Sequence, residues 1–590
     1  MASPNTNSSA ALGASRVRIW YGALLIVFMI FGIRLFYVQI IRHDYYKTSA
    51  LSGQLKQYEI PAGRGVIKAR DGSQLVPVVL NQKLYTLYAD PVYIKDAEKV
   101  ANKVSPIIGV DAVELTKQLK TPDTRYVILS KKLTEQQSKK LLALKLAGIG
   151  TQSHSYRTYP QGDLAAQLLG FVDDEGNGRY GLEQALNTSL KGEPGQMRAI
   201  TDAQGVPLAA NQDNTQVPAT DGDDLVLTLD LAMQQQLQTI LQDGVKSSRA
   251  TGGSALIMDI NSGAVKAMAN YPSYDPAKYN EVEDAKLFTN PSVSEPIEVG
   301  SILKPLTTAA ALNVGAIKAN QSYYDPASWL VDGFRITNIE EDGGAAQRSV
   351  TDILNFSLNT GVTWQLMQMG GGKINEKARQ TWFDYMSNHY RFGMLTGIEQ
   401  GYEAEGYIPP PEDNDAGINL TYANTTFGQA MTATPIQIAG AMSAILNGGT
   451  YYQPHLISET INSAGKATKK PVKVLASDVV TAKTANELIP MMQHTINERN
   501  LRPAFDQERY MVGGKTGTAQ IAKPGGGYYD DKFNGTYLGF VGGNKPQYII
   551  VVFVDKPTNG GYAGSAAAQP IFVKIARTLI DESLVTPKTR

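Results

Sequence analysis

The chain contains no cysteine. That absence excludes disulfides, thiolate metal sites and cysteine nucleophiles together, so covalent chemistry must rest on another side chain. Histidine is also scarce: His43, His154, His389, His455 and His494 are the only five, and they show no metal-ligand spacing. No metal and no cofactor is therefore expected. Basic and acidic residues balance at 55 each, giving zero net charge, and no nucleic-acid footprint results. Long apolar runs are absent but for one near the start. What is there describes a globular chain of 590 residues, 43% hydrophobic and 19% charged, with ample material for a core.

The one long apolar run follows a stretch, residues 1–15, whose Ser, Ala and Asn content reads as disordered. Residues 19–33 carry no charge, and Leu35 to Val38 with Ile40 and Ile41 extend the run beyond the ~20 residues that cross a bilayer. Arg34 can snorkel to the headgroups, and Trp20 and Tyr37 suit the interfaces. The length and the missing Ala-x-Ala site favour an uncleaved anchor over 19–41 rather than a signal peptide. Arg16 and Arg18 place the tail 1–18 in the cytoplasm and everything after residue 42 outside. A single-pass membrane protein is the expectation.

Residues 45–222 read as a pedestal. A strand, a turn and a strand are expected from Ile60 to Gly72, and a lysine-laced amphipathic helix from Leu133 to Leu146. Asp173 to Gly178 faintly resembles a calcium loop, but Glu175 and Gln184 stand at its third and twelfth positions, so it reads as a turn. Nothing here assembles a nucleophile or a base, and Asp213 to Asp224 reads as a polar linker. Residues 223–590 change character. A helix at Leu231–Leu241 precedes a hairpin built on Ala255–Asp259 and Val265–Met268, and apolar strands at Tyr537–Val541 and Tyr548–Val554 precede a closing helix, about Ala566–Ile580. Strands at both ends with helices between predict an α+β domain whose first hairpin joins its last strands in one antiparallel sheet.

The chemistry centres on Glu298-Val-Gly-Ser-Ile-Leu-Lys-Pro305 and the helix-forming residues after it. Ser301 at a helix N-terminus, with Lys304 one turn on, pairs a hydroxyl with a possible base. Burial would lower the lysine pKa and make it one. Ser-x-x-Lys is a weak pattern, and a second copy at Ser463–Lys466 lies in a polar turn. Two further motifs give the first copy its weight: Ser357-Leu-Asn359, and Lys515-Thr516-Gly517, the sole Lys-Thr-Gly.

Three motifs in this order resemble those of serine β-lactamases and penicillin-binding proteins. Arg64 to Ile67 with Arg70 to Gly72, Arg157 to Pro160, and Gly181 to Glu183 resemble the pedestal signatures of class B penicillin-binding proteins. Phe427 to Gln429, Thr434 to Gln437, Asn447 to Gly449 and Lys515 to Gln520 resemble their transpeptidase domain. Val299 departs from the family, which usually has proline there. The resemblance implies a membrane-anchored D,D-transpeptidase that cross-links peptidoglycan stem peptides and is the target of β-lactams, septal rather than elongating. Ser301 would be the nucleophile, Lys304 the base and Ser357 a proton relay. Asn359 would hold Lys304 and the substrate amide, and Lys515 would keep the field positive. Thr516 and Thr518, beside Gly517, would bind the substrate carboxylate, and the N–H groups of Ser301 and Thr518 would form the oxyanion hole. A polytopic membrane glycosyltransferase and other division or elongation proteins would be partners. The competing readings are a tethered serine β-lactamase, whose base would be sought among Glu399 to Glu405 and Glu412 to Asp415, a β-lactam sensor, and a non-catalytic division scaffold. Both acidic stretches read as solvated loops.

Overall fold

The computed structural model describes residues 9–200, 215–338, 344–412, 417–498, 504–523, 527–558 and 562–589. The start of the expected tail (residues 1–8), linker residues Asp213 and Asn214, and the acidic residues after Glu412 lie outside them. The chain forms two compact units.

One unit comprises residues 1–62 and 193–220. Its helix Ser9–Phe36 runs on through a π turn, Tyr37–Ile41, to a helix at His43–Gln54. Disorder was the expectation up to residue 15; from Ser9 on, the backbone is already helical, in keeping with the alanines at 10, 11 and 14. Val17–Ile41 is 25 residues long, and its apolar side chains are exposed but for the half-buried Tyr37 and Val38. At about 1.5 Å per residue that is about 37 Å, enough to cross a ~30 Å hydrocarbon core. Such a row of exposed apolar groups suits lipid rather than water as solvent. A three-stranded antiparallel sheet follows, Leu55–Ile60 beside Gly195–Ile200 beside Thr215–Val217. Its last strand falls where a linker was expected.

The other unit comprises residues 63–192 and 221–590 and holds two main sheets. In the first, Gln74–Ala89 pairs with Ile67–Asp71, Val127–Leu133 and Ile149–Thr158. Ile67–Asp71 also pairs in parallel with Asp224–Asp230, which pairs antiparallel with Ile457–Ile461. The sheet therefore spans the expected division at 222/223. The Asp224 carboxylate reinforces the joint, accepting from Val66 N at 2.7 Å and Lys68 Nζ at 2.8 Å. Helices Ala97–Ile108, Ala112–Leu119 and Glu135–Ala143 pack on this sheet through Val104, Leu115 and Leu141. The lysine-laced helix is thus shorter than expected. Leu142, assigned to its apolar face, is exposed, and Lys145 with φ +47° ends any continuation.

Behind this sheet Glu183 is fully buried between Arg64 and Arg157. Arg157 Nε reaches Glu183 Oε1 at 2.7 Å, Arg64 Nε reaches Oε2 at 2.7 Å, and Arg64 Nη1 reaches Asn187 Oδ1 at 2.9 Å. Removing one partner of a buried pair leaves uncompensated charge, so Glu183→Ala is expected to cost about 3–5 kcal/mol. A lowered denaturant midpoint would register it.

The second sheet carries the chemistry. Helix α1 (Leu231–Ser247) precedes strands β1 (Gly252–Asp259) and β2 (Val265–Tyr271); helices α2 (Lys304–Asn313), α3 (Val350–Asn355), α4 (Asn359–Met369) and α5 (Pro435–Leu446) follow. Strands β3 (Met511–Ala522), β4 (Tyr528–Gly542) and β5 (Pro546–Asp555) and helix α6 (Gln569–Asp581) close the chain. The order is β2-β1-β5-β4-β3, antiparallel throughout, and β1 pairs with β5 from Gly252↔Asp555 to Asp259↔Tyr548. The expected union of first hairpin and last strands is observed. Period-2 alternation sends Ala255, Ile257, Ile550 and Val552 to a core shared with Leu241 and Phe572, and Leu256, Met258, Ile549 and Val551 to one shared with Leu306 and Ile438. A sheet buried on both faces explains why β5 reads as one continuous apolar run.

Candidate active site

Ser301 stands in a 3₁₀ turn, Gly300–Leu303, that leads straight into α2 at Lys304. The expected helix start is present, with a tighter first turn. In a 3₁₀ turn residues three apart eclipse, which sets Ser301 and Lys304 on one side. Gly300 takes φ +65° and donates its N–H to Gly428 O at 2.9 Å. A Cβ on Gly428, itself at φ +81°, would lie 2.3 Å from Gly300 O, so only glycine lets these backbones meet. Val299 has φ −67°, within the range proline imposes. Its departure from the family pattern therefore leaves the local shape intact.

Lys304 is fully buried. Its Nζ donates to Ser357 O and stands 3.1 Å from Ser357 Oγ. Lys515, 2% exposed, donates to the same Oγ at 2.8 Å and to Thr516 O at 3.0 Å. Two lysines from distant segments thus converge on one hydroxyl. Ser357 lies between α3 and α4 with φ +59°, a region non-glycine residues enter at a cost of about 1–3 kcal/mol. That conformation turns both its carbonyl and its hydroxyl toward Lys304. Asn359 opens α4, and its Nδ2 donates to Thr337 O at 2.9 Å. The next residue is fixed as well: Thr360 Oγ1 donates to the buried Asp325 at 2.7 Å.

The third motif lies on β3. A Cβ on Gly517 would stand 2.2 Å from Thr536 Oγ1 and 3.2 Å from Ile302 N, so β3 runs directly against the Ser301 turn. Thr536 Oγ1 reaches Val299 O at 3.4 Å. Of the two threonines, Thr516 is buried, whereas Thr518 is half-buried and accepts from Gly564 N at 3.1 Å. A cavity of about 230 Å³ lined by Thr518, Phe533, Tyr562 and Ala563 opens beside it. Lys304 and Lys515 thus meet on Ser357, and Gly517 runs against the turn that carries Ser301.

Ser463 and Lys466 lie in a turn closed by Asn462, whose Oδ1 accepts from Lys466 N at 2.9 Å, as the polar sequence predicts. Glu399 and Glu403 differ from expectation. Neither is a solvated loop acid: Glu399 Oε2 accepts from Leu456 N at 2.8 Å, and Glu403 accepts from Thr396 N at 2.6 Å and Gly397 N at 2.9 Å. Glu298, three residues before Ser301, was not singled out in the sequence. It is half-buried and takes a hydrogen bond from Tyr528 OH at 2.8 Å; the apolar Ile297 and Val299 on either side were the available hint.

The model of the penicillin-binding protein transpeptidase domain matches residues 253–577, and that of the penicillin-binding protein dimerisation domain matches residues 59–227. The chain is 29% identical to stage V sporulation protein D of Bacillus subtilis, covering 96% of this chain and 85% of that protein. It is 26% identical to a peptidoglycan D,D-transpeptidase FtsI homolog of Mesostigma viride, covering 94% and 93%. Among solved structures, penicillin binding protein 3 of Mycobacterium tuberculosis complexed with ampicillin superposes with a TM-score of 0.67 at 24% identity, over 90% of this chain and 98% of that one.

Proposed function

The chain belongs to the class B penicillin-binding proteins, with a transpeptidase domain preceded by a dimerisation domain, and from that premise we propose that it is a peptidoglycan D,D-transpeptidase. The observation that carries the reading is the convergence of Lys304 and Lys515 on Ser357 Oγ beside the Ser301 turn. Ser301 Oγ attacks the carbonyl of a terminal D-Ala-D-Ala peptide bond while Lys304, as the neutral amine, takes its proton. A neutral Lys304 can donate its two N–H groups to Ser357 O and Ser357 Oγ and take the Ser301 proton on its one lone pair, leaving Lys515 as the fixed cation. The oxyanion rests on the N–H groups of Ser301 and Thr518, each such donor typically worth about 2.7–4 kcal/mol. Collapse breaks the peptide bond, and the departing D-Ala amine takes a proton through Ser357. The amine of a second stem peptide then displaces Ser301 from the acyl ester. Thr518, at the mouth of its cavity, holds the donor carboxylate. The buried Thr516 sets the Lys515 ammonium, whose Nζ lies 3.5 Å from its Oγ1.

Residues 1–18 form the cytoplasmic tail, 19–41 the membrane helix, 45–222 the pedestal and 223–590 the catalytic domain, which lies outside the cell. Arg16 and Arg18 support this orientation. Septal synthesis is favoured over elongation by the kind of relatives found. Glycan polymerisation falls to a partner, a polytopic membrane glycosyltransferase acting with other division proteins: among the described residues of 63–192 the one buried acid, Glu183, is held between two arginines. Benzylpenicillin should add covalently to Ser301, as peptide mapping by mass spectrometry can establish. An adduct on Ser463, or an undiminished adduct in Ser301→Ala, would overturn the assignment.

A further inference from the structure

Glu298 has no part in the acyl transfer described above, yet it touches three walls of the site. Its Oε1 accepts from Tyr528 OH at 2.8 Å and from Ala430 N at 3.2 Å. Its Oε2 is buried and, among the described residues, accepts from no donor. Tyr528 opens β4 and pairs with Ala522, at the far end of the strand that carries Lys515 to Thr518. Ala430 belongs to the segment whose Gly428 O holds Gly300 N, and the neighbouring Ile297 and Ala433 exchange backbone hydrogen bonds at 3.0 Å. Burial pushes the Glu298 carboxyl above the usual glutamate range, against the opposing pull of its two hydrogen bonds. A carboxylate kept from water with one oxygen unpaired does not favour the folded state, so its presence here calls for a gain elsewhere.

We propose that Glu298 is a positioning residue that latches the Tyr528 end of the β3–β4 hairpin to the turn carrying Ser301. A hydroxyl donating to a carboxylate forms a charge-assisted bond, stronger than a neutral one. The bond spans from the residue preceding Val299 to the tip of the hairpin, so it sets how far the Thr518 N–H stands from the Ser301 N–H. The Ala430 contact fixes the same carboxylate from the side on which Gly300 is anchored. The inference rests on the reading of Ser301 and Thr518 as the acylation site.

Acylation by benzylpenicillin is measured on the full-length protein for the wild type, Glu298→Met, Tyr528→Phe, the double variant and Glu298→Gln. Met fills the same space without an acceptor, and Phe removes a single oxygen. Each single change is expected to slow acylation of Ser301 by about tenfold or more, given that misplacement of ~1 Å can cost about 10²-fold. The double variant should be no slower than Glu298→Met, and Glu298→Gln, which keeps an acceptor for the phenol, should recover most of the rate. Multiplying losses in the double variant, or Tyr528→Phe acylating at the wild-type rate, would overturn the latch. Wild-type protein left without an adduct on Ser301 would overturn the acyl-enzyme reading itself.

Discussion

Replacing Lys304 with methionine should slow penicillin acylation of Ser301 by about 10²–10⁴-fold, the range over which a positioned general base acts, with the fold preserved. Methionine matches the lysine stem in length and needs no hydrogen-bond partner, so the buried position is filled without a cavity or an orphaned charge. Ser357 O loses the donor that Lys304 supplied, but Ser357 Oγ keeps its bond from Lys515 at 2.8 Å, and the φ +59° backbone that presents it remains flanked by α3 and α4. What disappears is the one amine placed in eclipsed register with Ser301. Acylation rates followed with a fluorescent penicillin, beside a thermal melt of the same variant, separate the two effects. A melt as stable as wild type with acylation undiminished would remove Lys304 from the mechanism.

The penicilloyl ester that the wild type forms should persist, with no turnover at the ~1–10³ s⁻¹ typical of enzymes. Hydrolysis needs a carboxylate free to activate water, as the dedicated glutamate of class A β-lactamases does. The described acids of the two stretches in question, Glu399 to Glu405 and Glu412, are committed elsewhere or exposed. Glu403 is filled by Thr396 and Gly397, Glu399 by Leu456 N and Lys470, and Glu405 and Glu412 face solvent. Glu298 is nearer in sequence to Ser301, but its Oε1 is occupied by Tyr528 and Ala430 and its Oε2 is buried. Chasing bound fluorescent penicillin with unlabelled drug and following the label on a gel decides the matter. Loss of label at an enzymatic rate would make the chain a tethered β-lactamase.

The convergence of Lys304 and Lys515 on Ser357 was legible because serine and lysine in these patterns carry recognisable chemistry wherever the fold puts them. The central sheet was legible because two-sided burial writes itself as the unbroken apolar run Tyr548 to Val554. Features made by distant partners were not. Glu399 and Glu403 lie among glycines and tyrosine and read as wet; only the fold turns Leu456 N and the amides of Thr396 and Gly397 onto them. Glu298 looks like an ordinary alternating acid until Tyr528 arrives from the far hairpin. The linker expected over 213–224 ends in a strand, Asp224–Asp230, because its partners, Ile67–Asp71 and Ile457–Ile461, lie far away on both sides in the chain. No local pattern announces such a pairing.

That strand bears on how the protein can be dissected. The two family matches, 59–227 and 253–577, invite the view of interchangeable modules joined by a tether. A fragment starting at residue 223 would instead expose a raw sheet edge at Leu225 and Val226, now only 1% and 0% exposed. Unpaired apolar edges recruit other chains and seed aggregation. The bond between Val66 N and Asp224, and the parallel register Leu225↔Ile67, make the seam a shared structural wall. Evolution could exchange the flanking helices and loops far more freely than it could swap either half for a stranger's.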